Sequence, residues 1–115
     1  MEETLFSFQQ IPFHAFLDGI FTTLVLSYFC LGDHTKVALN YKRYRKITEG
    51  KSINLENDVT LHGFYYVSQW LSTGRKQYLQ KLETLIQEHR DNNFHSTLQL
   101  LRNVAKYFEM PIKKG

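Results

Sequence analysis

Between Phe13 and Leu31 the apolar residues Leu17, Phe21, Leu24, Tyr28 and Leu31 recur at steps of four, three, four and three, the spacing that draws one stripe along a helix. Pro12 stands where a first helical turn tolerates it. Gly32, in "LGD", can take the left-handed conformation that closes the helix. Asp33 then offers an N-cap to a second helix whose inner face is Val37, Tyr41, Tyr44 and Thr48, with Gly50 as its stop.

The segment "GKSINLEN" reads as a connector, and Asn54 or Asn57 can cap a third helix. From Asp58 to Thr73 the apolar residues Leu61, Phe64, Tyr65, Val67, Trp70 and Leu71 cover more than one face, which predicts a central helix touched from two sides. Its "GFYYVSQW" stretch is rich in β-formers, but the flanking periods are helical and tertiary packing must offset the weak local propensity. Gly74 breaks the chain. Tyr78, Leu79, Leu82, Leu85, Ile86 and His89 then form a broad stripe, and after "RDNN" a last stripe of Phe94, Leu98, Leu101, Ala105 and Phe108 runs until Pro111 stops it. The prediction is an all-α fold of about five helices in antiparallel hairpins, as a right-handed stack or an irregular bundle. It is one domain over 1–115, with hairpins at 13–49 and 58–91 and a capping helix at 93–109.

Composition agrees with this picture. An apolar content of 43% beside 22% charged residues is globular, and six glycines with two prolines disfavour a chain of tight β-turns. The single cysteine, Cys30 within "LVLSYFCL", excludes an intrachain disulfide and a cysteine metal cluster, and fits a reducing, cytoplasmic setting as an inert packing thiol. Glu2 and Glu3 without a basic run before the apolar stretch argue against a secretory signal. The window from Phe13 to Leu31 carries His14 and Asp18 and reads as an amphipathic core helix, so no membrane association is expected.

Two helix-turn-helix units stand in register, Phe21–Thr48 broken at Gly32 and Gly63–Asp91 broken at Gly74, with the breaks 42 residues apart. The first, "FTTLVLSYFCLGDHTKVALNYKRY", resembles a tetratricopeptide repeat. Phe21, Leu24 and Tyr28 match that family's first-helix positions, Gly32 its turn glycine and Tyr41 its second-helix aromatic. Val25, Val37 and Tyr44 depart from it, standing where small residues are usual, and the second unit keeps only the Trp70-to-Gly74 spacing. The resemblance implies a protein-binding scaffold of stacked hairpins with no catalytic residues, within a larger intracellular regulator or paired with a copy of itself.

The charge is uneven. Residues 36–51 carry Lys36, Lys42, Arg43, Arg45, Lys46 and Lys51 against Glu49 alone, a local +5 in a chain of net +3, which leaves −2 elsewhere. In "YKRYRK" the helical wheel turns Tyr41 and Tyr44 inward and the cations outward, which argues against a stacking grip on bases. A solvated helix face explains the run, and an acidic partner or nucleic acid is the functional alternative. His14, His34, His62, His89 and His95 show no i, i+4 histidine pair and no carboxylate at ligand spacing, so no metal or other cofactor is expected; His62 and His89 read as hydrogen-bonded histidines at the edge of the core. No phosphate loop or nucleophile motif appears, and no catalytic residue is assigned. The expected function is protein–protein interaction or self-association. Its contacts would come from Lys42, Arg43 and Lys46, with Tyr66 and Trp70 as apolar anchors. A nucleic-acid-associated domain using the basic face 36–51 is the alternative.

Overall fold

The computed structural model describes the backbone of residues 10–48 and 54–112, and the side chains of residues 19–48 and 54–112. Five helices follow in order: α1 (Gln10–Cys30), α2 (His34–Thr48), α3 (Leu55–Thr73), α4 (Lys76–Glu88) and α5 (His95–Tyr107). No strand occurs among the described residues, so the all-α prediction holds. The predicted stop at Gly50 and the inward placement of Leu17 lie outside the described residues.

The helix ends follow local chemistry. Pro12 lies in the first turn of α1, where a missing amide hydrogen costs no intrahelical bond. At the other end Gly32 has φ of 74°, and the amides of Gly32 and Asp33 reach back to the carbonyls of Phe29 and Tyr28. The Asp33 carboxylate then accepts from the Lys36 amide at 3.1 Å and caps α2. Asn54 does the same for α3 by accepting from the Asn57 amide at 3.0 Å, so this helix begins three residues earlier than Asp58. Gly74, with φ of 69°, closes α3.

Helix α3 is the hub, packing against each of the other four helices, while α1 also packs on α2. That position explains its composition. Val59, Leu61, Phe64, Val67 and Ser68 are buried on several sides of it, as a helix contacted from two sides requires. Gly63 lets α5 approach: a Cβ there would lie 2.4 Å and 2.6 Å from the Leu101 methyl carbons. Leu82, Leu85 and Ile86 cover α3 from α4, and Leu98, Leu101 and Ala105 from α5. With a radius of gyration of 15.1 Å and extents of 52 × 32 × 20 Å, the molecule is longer than the ~13 Å radius of a round domain of this length.

Helix α1 corrects the predicted stripe. Its buried ridge is Phe21, Val25 and Phe29, while Leu24 and Tyr28 pack at the edge of the core and Leu31 is 77% exposed. This stretch is apolar on nearly every side, so the neighbours, not the period, choose the ridge. Leu31 also belongs to the closing turn, after the backbone has begun to leave the helix. For the same reason Cys30, one residue past Phe29, is exposed, which corrects its reading as a packing thiol. Val25, Val37 and Tyr44 are fully buried, and Tyr44 meets Phe21 edge-on at 6.1 Å. No helix of the described residues is long and apolar enough to cross a membrane.

Candidate functional site

Helix α2 carries five cations and no carboxylate. Val37, Asn40, Tyr41 and Tyr44 face the core, which leaves Lys36, Lys42, Arg43, Arg45 and Lys46 exposed on the other side. Two of the five have partners: Lys36 lies 3.9 Å from Asp33 and over the Tyr28 ring, and Arg45 reaches α3. Among the described residues, Lys42, Arg43 and Lys46 have no carboxylate partner. Leu39 and Ile47 share this outer face at 46% and 49% exposure, so it is cationic with apolar residues set into it.

Two open clefts flank α3. One, of about 380 Å³, runs between α2 and α3 and is lined by His34, Thr35, Ala38, Leu39, Lys42, Gln69 and Ser72. The other, of about 350 Å³, lies between α3 and α4, with Tyr66 and Leu85 beneath Gln77, Lys81, Thr84 and Glu88. Lys81 holds its ammonium 5.5 Å from the Tyr78 ring centre and 6.0 Å from that of Tyr66.

A polar seam joins α2 to α3. The Tyr44 hydroxyl donates to Asp58 Oδ1 at 2.9 Å, and His62 Nε2 lies 3.1 Å from Asp58 Oδ2. The other ring nitrogen, Nδ1, meets the Tyr41 hydroxyl. Nε2–H donates to the carboxylate, and the Tyr41 hydroxyl pairs with Nδ1. Arg45 Nη1 sits 3.3 Å from Nε2, where it has no lone pair to reach and acts as a neighbouring positive charge. The rings lock the seam: Tyr41 stacks on Tyr65 at 3.9 Å, nearly parallel, and His62 lies above Tyr66.

These surroundings shift the ionisations. Burial alone would raise the Asp58 carboxyl, but the hydrogen bond and charge of His62, the Tyr44 hydroxyl and Arg45 outweigh it and hold Asp58 below the usual carboxylate range. Burial pushes the Tyr41 and Tyr66 phenols up, against a partial pull from Arg45. Both stay neutral at physiological pH. Tyr41 is buried, and the Asp58–His62–Tyr41 chain ties the two helices together.

The five residues assigned from sequence do not converge. Lys42 lines the α2–α3 cleft, Arg43 and Lys46 lie on the outer face of α2, and Tyr66 belongs to the α3–α4 cleft. Tyr66 and Trp70 are both half-buried and pack against the core. The expectation that no carboxylate stands at ligand spacing from a histidine is corrected by Asp58, four residues before His62 on one helix face. His89 does find a hydrogen-bond partner, in Asn92 at 2.9 Å. Among the described residues no group of three metal-ligating side chains forms. Comparison of the chain with protein-family models, with curated proteins and with solved structures finds no match.

Proposed function

We propose that this chain is a tetratricopeptide-like helical-hairpin module that binds a protein partner or a second copy of itself and performs no chemistry of its own. The order of packing supports the repeat reading. Within each hairpin the two helices pack on one another, and α3 of the second hairpin covers both helices of the first, as in stacked hairpins, while α5 packs on α3 without covering α4. The observation that carries the function is the outer face of α2, where Lys42, Arg43 and Lys46 surround exposed Leu39 and Ile47. A cationic face with apolar residues inside it suits a protein surface better than a phosphate backbone alone. The lone cysteine fits a reducing, cytoplasmic setting.

Nucleic acid is the second reading, favoured by the same charge. Against it, Tyr41 and Tyr44 are buried and offer no ring to a base. Light scattering at low and high salt, with and without a short DNA duplex, separates the two. A complex or dimer that persists in salt and ignores DNA supports the protein-binding reading. A monomer whose mass shifts only with DNA at low salt overturns it.

A further inference from the structure

Resting on the protein-binding reading, we infer that the α2–α3 cleft is the seat of an acidic, apolar-anchored peptide segment: one apolar side chain enters the cleft beside Leu39, and flanking carboxylates meet Lys42, Arg43 and Lys46. The cleft holds about 380 Å³, within the range of small-ligand sites and ample for a large apolar side chain. Its lining carries no carboxylate and one cation, Lys42. Most of its polar groups are already engaged. His34 Nδ1 lies 2.7 Å from the Ser68 hydroxyl, Gln69 Nε2 donates to the Tyr65 hydroxyl at 2.9 Å, and the Ser72 hydroxyl turns to Gln69. An entering group therefore meets Ala38 and Leu39 as apolar wall and Lys42 as the available charge.

The charge pattern chooses the occupant. Helix α2 has five cations and no acid, so a second copy laid α2 against α2 would set like charges face to face. A purely anionic polymer would satisfy the cations but leave Leu39 exposed beside the cleft. A segment with one apolar residue between acidic ones complements both features, the anchor supplying affinity and the carboxylates orientation and encounter rate.

The test is to pan a displayed library of random twelve-residue peptides against the full chain. The strongest binder is then titrated into isotopically labelled protein while backbone resonances are followed. Enriched peptides are expected to carry an apolar residue flanked by Asp or Glu, and to move the resonances of Leu39, Lys42, Gln69 and Ser72. Lys42→Glu and Leu39→Asp, both at exposed positions, are expected to weaken binding by about tenfold or more while far-ultraviolet circular dichroism stays unchanged. Failure to enrich binders, binders without acidic bias, or shifts confined to α4 or α5 would overturn the assignment. Binders that map elsewhere would still leave the protein-binding reading standing. A DNA duplex that moves the same resonances and competes with the peptide at equal or lower concentration would overturn both.

Discussion

At the scale of single residues, the seam between α2 and α3 concentrates what is testable. Asp58 is held below the ordinary carboxylate range, so it adds stability at pH above its unfolded value of ~3.9, and that stability is lost as pH falls through the lower folded value. Thermal melts across the acid range should therefore show a decline below about pH 4 that is shallower in Asp58→Asn, whose amide keeps the shape without the titration. A second site is Glu109, which has φ of 58° where α5 closes, with the Met110 amide bonded to the Ala105 carbonyl at 2.8 Å. A non-glycine residue pays for that conformation, so Glu109→Gly should raise stability by about 0.5–1 kcal/mol in denaturant titrations, provided Met110 stays buried. The inward turn of Tyr41 and Tyr44 was readable from the wheel. The Asp58–His62 pair also stood in the sequence, four residues apart, but its meaning depends on two tyrosines contributed by another helix.

Among the elements, helices with one polar side were legible and the helix without one was not. Asp33, Asn54, Gly32 and Gly74 marked ends that local hydrogen bonding alone determines. The stripes of α4 and α5 match their buried residues because polar side chains fill most of the opposite face, Leu100 and Tyr107 of α5 being exposed exceptions. In α1 the apolar residues run round the helix, so only its contacts with α2 and α3 select Phe21, Val25 and Phe29. The α3–α5 contact gives the sharpest test at this scale. Alanine at Gly63 gains about 1 kcal/mol of helix propensity but drives a methyl into Leu101, a clash worth about 1–3 kcal/mol, so Gly63→Ala should destabilise by about 1 kcal/mol. With Leu101→Ala present the added methyl has room and the same change should become neutral or stabilising. A double-mutant cycle measures the difference.

For the molecule as a whole, the hub position of α3 makes the helices depend on one another. The only tryptophan, Trp70, lies in α3, so its fluorescence reports on that helix while far-ultraviolet circular dichroism reports on all of them. Both signals should lose structure at the same denaturant concentration; separated midpoints would mean that the hairpins melt independently. The clefts were not legible in advance because exposure of Leu39 follows from which side of α2 its neighbours occupy, a property of the assembled chain. The concentration of positive charge on α2 also gives the molecule a handed surface in an electric sense. Even near the pH at which its net charge vanishes, the chain should be retained on a sulfonate cation-exchange resin at low salt, adsorbed through α2. Lys42→Glu combined with Lys46→Glu should elute far earlier than the same two reversals at Lys76 and Lys81, although net charge alone would give the two variants the same retention.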